Sequence, residues 1–139
     1  MKSNVEQKIL ETQQKELQLP GEKIPVIVVD NFPMLGRLTA LRFLEWVQNN
    51  PEGAVSLPTG KTPEYFIKEV IRFKNSWSSK ETQKELEGYG IDTSKKPDFR
   101  GLTFVQIDEF YPINPRHHNS FYYYVNKYYL EGFGIPREK

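Results

Sequence analysis

The sequence has 139 residues, which is enough for one domain with one hydrophobic core. Its 19 basic and 18 acidic side chains nearly cancel, so no net charge favours nucleic acid or an anionic membrane as a partner. Cysteine is absent, which excludes disulfides, thiolate catalysis and thiolate metal sites. The longest apolar run, residues 26–29, is far too short for a bilayer span, and no signal-peptide pattern opens the chain. These features predict a cytoplasmic domain.

The N-terminal segment, residues 1–22, predicts a helical extension. Apolar side chains recur there at loosely helical spacing up to Pro20-Gly21, which ends the segment. We expect this helix to pack on the main domain or on another subunit. Residues 23–139 then form the main domain.

Strand and helix patterns alternate along the main domain. Short β-branched or apolar runs predict buried strands at 24–29, 54–57 and 102–107, and a surface helix is expected near 81–86. Apolar steps of three or four predict the buried faces of three longer helices: Met34, Leu38, Leu41, Leu44 and Val47; Phe66, Ile67, Val70 and Ile71; Phe121, Tyr124, Val125 and Tyr128. The alternation predicts an α/β fold, a doubly wound and mainly parallel Rossmann-like sheet with flanking helices, incomplete with three strands.

The turn after the second predicted strand has the chemistry of an anion site. Gly60 lets the backbone approach a ligand, and Thr62 and Pro63 suit the N-cap and first position of the next helix. Free amides and the helix dipole favour an anion there, and Thr59 and Lys61 add further donors. A phosphate fits this turn, and an ordinary helix start without a ligand is the alternative.

A nucleotide-binding P-loop is excluded at this turn, although Gly60-Lys61-Thr62 copies its ending. The P-loop needs a glycine five positions before Gly60, where this chain has Val55.

Two carboxylates, Asp108 and Glu109, follow the third predicted strand directly. The carboxyl ends of strands face the ligand crevice of open α/β sheets, so we expect Asp108 on the same rim as the turn at 59–62. A partly desolvated carboxylate there can abstract a proton, and only one of two adjacent side chains faces the crevice. The alternative is that Asp108 caps a loop or pairs with Arg116. Metal binding by the two carboxylates has no supporting ligand spacing.

The loop before the last helix contains His117 and His118, for which we predict a solvated position. Asn119 or Ser120 is expected to cap the last helix. The tyrosines of that helix are interpreted as core residues, since the chain lacks the basic excess of an RNA-binding surface.

These motifs, in this order, resemble the glucosamine-6-phosphate isomerase/deaminase family, which is related to the 6-phosphogluconolactonases. Residues 55–63 resemble its Leu-Pro-Thr-Gly-Gly/Ser-Thr-Pro phosphate loop, and residues 104–110 its Phe-x-x-Asp-Glu-Tyr segment. Residues 118–123 resemble its His-Pro-x-Ser-Tyr-Tyr helix start. Lactonases usually carry arginine where this chain has Phe110, which favours the deaminase branch.

The resemblance implies a proton shuttle between C1 and C2 of an amino-sugar phosphate, giving fructose 6-phosphate and ammonia. It implies that Asp108 and Glu109 are catalytic residues, with Asp108 as the general base. It also implies that Thr59, Gly60, Lys61 and Thr62 bind the substrate phosphate. It implies no organic cofactor and no metal, and a small sugar phosphate as the binding partner.

The chain departs from the family pattern in two ways. Lys61 replaces a glycine or serine, and the family's later Gly-x-Gly-x-Asp-Gly-His motif, with its ring-opening histidine, is not found in these residues. We therefore expect the N-terminal half of a longer enzyme, inactive by itself, that forms homo-oligomers or associates with its C-terminal half. A non-catalytic sugar-phosphate sensor and a lactonase-like hydrolase stay open as alternatives.

Overall fold

The structure is a computed structural model, and it describes residues 3–12, 21, 23 and 26–137. The helices and strands within these residues are α1 (Asn4–Thr12), α2 (Phe32–Asn49), β1 (Ala54–Val55), α3 (Glu64–Ser76), α4 (Lys80–Gly88), β2 (Thr103–Phe104), α5 (Phe121–Tyr124), a π-helix (Val125–Leu130) and α6 (Glu131–Phe133). The last three segments follow one another without a break and are called the C-terminal helix. No helix in the described part of the chain is long and apolar enough to cross a membrane.

The two strands form a parallel sheet. Ala54 pairs with Thr103 and Val55 with Phe104, and the Val105 amide extends the ladder by donating to the Val55 carbonyl at 2.8 Å. Parallel strands need a long crossover, which α3 and α4 supply. The predicted parallel pairing is confirmed, although both strands are shorter than the predicted 54–57 and 102–107.

The strand predicted at 24–29 is not found in the described residues. Residues 26–29 carry no assigned helix or strand, and residues 24 and 25 lie outside the described part of the chain. Val26 and Val28 are 44% and 52% exposed, so the prediction of a strand buried on both faces is wrong for them. A β-branched run favours a pleated surface, but neighbouring elements decide its pairing and burial. The doubly wound arrangement is therefore not confirmed by this two-stranded sheet.

Helix α2 is the main packing element of the core. It begins where Asn31 accepts a hydrogen bond from the Met34 amide at 2.9 Å. Leu41, Leu44 and Val47 are fully buried, as predicted. Met34 is 36% exposed, because the first turn of the helix is largely uncovered.

An aromatic cluster joins α2, α3 and the C-terminal helix. The rings of Phe43, Phe66, Phe99 and Phe133 lie with centroids 5.4–6.1 Å apart. Such ring pairs add about 0.5–1.5 kcal/mol each beyond the area that they bury. The cluster fixes the C-terminal helix against α3, whose first turn follows the predicted phosphate turn.

Helix α1 confirms the predicted N-terminal helix over Asn4–Thr12, and it packs on the domain. Val5 and Ile9 are buried, and the Ser3 hydroxyl and Asn4 amide donate to the Glu45 carboxylate at 2.5 and 2.6 Å. A carboxylate at a helix N-terminus also interacts favourably with the helix dipole. The rest of the predicted extension, residues 13–20, lies outside the described residues, and the domain boundary stays a prediction.

Candidate active site

The parallel register puts the two predicted motifs beyond the same edge of the sheet. Val55 is the last paired residue of β1 and Phe104 the last of β2; Thr59 and Asp108 each follow four positions later (59 after 55, 108 after 104). Parallel strands run in the same direction, so both segments leave the sheet at its carboxyl end. This edge is the candidate site.

The turn at 58–63 has a backbone that requires glycine. Gly60 has a φ of 96°, which residues other than glycine rarely adopt. Nothing lies within 4 Å of the position that a Cβ would occupy there. The turn closes with the Glu64 amide donating to the Lys61 carbonyl at 3.2 Å. An open space therefore adjoins the backbone at Gly60.

The prediction that Thr62 caps α3 is wrong. The N-cap position is Pro63, and no side chain makes a capping hydrogen bond there. The backbone bond between Glu64 and Lys61 forms a turn of its own and shifts the helix start by one residue. The α3 N-terminus therefore has no side-chain cap competing with an anion.

Asp108 is exposed beyond β2. Its backbone carbonyl accepts a hydrogen bond from the Gln106 side chain at 2.7 Å. Among the described residues no ion pair joins Asp108 to Arg116, so the predicted alternative of a structural pair is not found. The carboxylate remains available to a ligand at the rim.

Glu109 caps the C-terminal helix. Its carboxylate accepts hydrogen bonds from the Ser120 hydroxyl at 2.6 Å and from the amides of Phe110, Phe121 and Tyr122 at 2.9–3.0 Å. Desolvation raises the pKa of Glu109, but these four hydrogen bonds outweigh it and lower the pKa to about 2. The two adjacent carboxylates thus have different environments, and Glu109 has the geometry of a positioning residue.

The Glu109 cap predicts a loss of helix order in acid. Because its pKa is lowered in the folded chain, its stabilising effect is complete above the ordinary value of 4.5 and disappears as the pH falls towards about 2. We expect the amide NMR signals of Phe121 and Tyr122 to move in this pH range. Glu109→Gln should remove that titration while the signals of α4 stay unchanged. If the Phe121 and Tyr122 signals still moved in this pH range in Glu109→Gln, the capping role of Glu109 would be contradicted.

The histidine loop and the helix start agree with the sequence predictions. His117 and His118 are exposed, with ring centroids 4.3 Å apart, and Ser120 accepts a capping bond from the Tyr123 amide. The buried tyrosine of the helix is Tyr129, however, and the predicted Tyr128 is 38% exposed. The π-helix explains this change, because it alters the helical period that the prediction assumed.

Two tyrosine hydroxyls that sequence reasoning missed contact the turn. Tyr124 donates to the Gly60 carbonyl at 2.8 Å, and Tyr129 donates to the Pro58 carbonyl at 2.5 Å. The sequence pattern predicts both tyrosines as core residues. The sequence signal for this contact is that Tyr124 and Tyr129 are five residues apart. Residues at that spacing share a face in a π-helix but not in the α-helix that the prediction assumed.

An open groove lies beside Glu109. It has a volume of about 500 Å³, and its lining residues are Gln106, Glu109, Phe110, Tyr111, Pro112, Ile113, Pro115 and Tyr122. The groove is bounded by the segment that follows Asp108 and by the first turn of the C-terminal helix.

The fold is similar to that of one solved enzyme structure. It is similar to a solved monomeric glucosamine-6-phosphate deaminase, described as a missing link of the NagB superfamily, with a TM-score of 0.63 and 20% identity. The similarity covers 83% of this chain and 40% of that structure.

The chain is also similar in sequence to curated glucosamine-6-phosphate deaminases. The chain is 29% identical over 105 residues to glucosamine-6-phosphate deaminase of Bacillus velezensis and 27% identical over 112 residues to that of Clostridium perfringens. These matches cover 76% and 81% of this chain but only 36% and 39% of the two enzymes. No protein-family model matches the sequence. The resemblance to glucosamine-6-phosphate deaminases that the motifs indicated is confirmed.

Proposed function

We propose that this chain supplies the phosphate-binding turn and the general base of a glucosamine-6-phosphate deaminase. The observation that carries the proposal is the parallel register, which directs the turn after β1 and the carboxylate after β2 to one edge of the sheet. The curated relatives are deaminases, so neither the sensor nor the lactonase alternative is favoured.

The turn would bind the substrate phosphate. Gly60 leaves open space beside the backbone, the α3 N-terminus has no side-chain cap, and Lys61 adds a cation to the same turn. Helix N-termini favour anions through their free amides and their dipole. Thr59 and Thr62 contribute hydroxyl donors on either side of Gly60.

Asp108 would then transfer the proton. A carboxylate within reach of C2 can take the proton from the open-chain amino sugar and return it at C1, while water supplies the oxygen that replaces nitrogen at C2. The products are fructose 6-phosphate and ammonia. Glu109 would position Asp108, because its hydrogen bonds to the start of the C-terminal helix hold the backbone next to Asp108.

The rest of the site would come from a complementary C-terminal part. Val105 and Ile107 are 53% and 62% exposed where β2 continues towards the rim, which is the surface that further elements of a doubly wound sheet would cover. The solved relative is a monomer, so completion by the C-terminal part is favoured over a homo-oligomer. The chain alone would bind the phosphate and lack turnover.

The binding role can be tested on the chain itself by NMR titration. We expect glucosamine 6-phosphate, but not glucosamine, to shift the amide signals of residues 59–62. Lys61→Ala should weaken this binding by about tenfold, which is typical for loss of one charge-assisted hydrogen bond.

The matched control is Lys84→Ala, which removes an exposed lysine from α4 and should leave the affinity unchanged. Equal binding of both sugars would contradict the phosphate site. Release of ammonia by the chain alone would contradict the division of the site between two parts.

A further inference from the structure

We propose that Tyr124 and Tyr129 are positioning residues that orient the backbone of the phosphate turn. The π-helix begins directly after Tyr124 and contains Tyr129, and we propose that it lets both side chains reach the turn. The inference rests on the proposed phosphate-binding role of the turn and names the residues that make the turn competent. It concerns hydroxyl groups on the opposite side of the turn from the ligand.

The two hydroxyls hold alternate carbonyls of the turn. Tyr129 bonds the carbonyl of Pro58 and Tyr124 that of Gly60, both on the side of the C-terminal helix. In a planar trans peptide the carbonyl and the next amide hydrogen point in opposite directions. Fixing these two carbonyls therefore directs the amides of Thr59 and Lys61 away from the helix. An anion then meets donors and is separated from the carbonyl oxygens that would repel it.

The π-helix accounts for the shared direction of the two side chains. In an α-helix, residues five apart lie about 140° apart around the axis, because each turn takes 3.6 residues. A π-helix bonds residues five apart, as the Glu131 amide does to the Asn126 carbonyl, so such residues lie nearly above one another. Tyr124 and Tyr129 are five apart and both reach the turn. An α-helical period would turn one of them away.

The packing of the Tyr129 ring holds its hydroxyl in place. Its ring is fully buried, stacked on Phe104 of β2 and edge-on to Phe133 of α6, with centroids 5.4 Å away in each case. The Tyr124 ring packs on Tyr128 at 4.6 Å. Burial, with smaller contributions from nearby Tyr128 and Glu64, raises the pKa of Tyr124 to about 12, so its hydroxyl stays a donor.

The same helix is also tied to the segment that carries the proposed base. Glu109, the neighbour of Asp108, caps the helix through the amides of Phe121 and Tyr122. One helix thus holds the phosphate turn through two hydroxyls and the base segment through one carboxylate. This arrangement sets the spacing between the two parts of the proposed site.

The test removes only the hydroxyls, with Tyr124→Phe, Tyr129→Phe and the double variant of the 139-residue chain. The control is Tyr89→Phe, which removes a tyrosine hydroxyl at the C-cap of α4. Two quantities are measured by NMR: amide hydrogen exchange at residues 59–62 without ligand, and the dissociation constant for inorganic phosphate. Thermal unfolding of each variant separates a local effect from general destabilisation.

We expect each single variant to weaken phosphate binding by roughly fivefold and the double variant by more than tenfold, as for the loss of one and two hydrogen bonds. Exchange at residues 59–62 should be faster than in the control. Unchanged exchange and affinity in Tyr124→Phe, which keeps the buried Tyr129 intact, would overturn the proposal. Faster exchange in a chain that binds no phosphate would instead support the positioning role and reject the phosphate site.

Discussion

Asp108→Asn is expected to lower the rate of ammonia release from glucosamine 6-phosphate by about a hundredfold or more once the chain is combined with its proposed C-terminal part. Asparagine has nearly the size and shape of aspartate but cannot take up the proton. The proposed phosphate turn at 58–63 is separate from residue 108, so the loss should fall on kcat and leave KM nearly unchanged. Steady-state assays of ammonia release give both quantities.

The control for this variant is Asp98→Asn. Asp98 is an exposed carboxylate paired with Arg100 at 2.7 Å and lies before β2, away from the carboxyl edge of the sheet. It should leave both kinetic constants unchanged. Full activity of Asp108→Asn would show that another group is the base, and a change confined to KM would assign Asp108 to binding.

Gly36→Ala should destabilise the chain by about 2 kcal/mol or more, the range for overpacking a tight core. Gly36 lies where α2 crosses α3, and an added Cβ would stand 2.4 Å from the Tyr65 Cβ and 2.7 Å from the Phe66 amide nitrogen. These are backbone or near-backbone atoms that no rotamer change can move, so the two helices must separate. The melting temperature should fall by about 5–10 °C.

The same variant should also weaken phosphosugar binding, because Tyr65 and Phe66 belong to the first turn of α3, directly after the proposed phosphate turn. The control is Gly88→Ala in α4, where nothing lies within 4 Å of the added Cβ. Alanine is favoured over glycine in helices by about 0.5–1 kcal/mol, so this variant should be neutral or stabilised. Equal stability of the two variants would contradict the close helix crossing.

Helix boundaries were predictable where the deciding group lies within a few residues. Asn31 caps α2 and Ser120 caps the C-terminal helix, and each accepts a bond from the amide three residues later. The prediction that Thr62 caps α3 is wrong because the Glu64 amide forms a backbone hydrogen bond with the Lys61 carbonyl, and no side chain caps the helix. Turn geometry of this kind is not encoded by residue type alone.

The roles of individual site residues were less predictable. Asp108 and Glu109 are adjacent carboxylates, and only the hydrogen bonds from the distant helix start distinguish the capping residue from the free one. The hydroxyls of Tyr124 and Tyr129 could not be assigned to the turn, since their contacts cross more than sixty residues of sequence.

The sequence by itself determined the order of the helices, the glycine turn after β1 and the acidic pair after β2, because these depend on local residue types and their spacing. Only the tertiary structure decided which runs pair as strands, which tyrosine is buried and which carboxylate stays free. Those outcomes depend on contacts between segments far apart in the chain. A run such as residues 26–29 has strand propensity but carries no assigned strand in the described part of the chain.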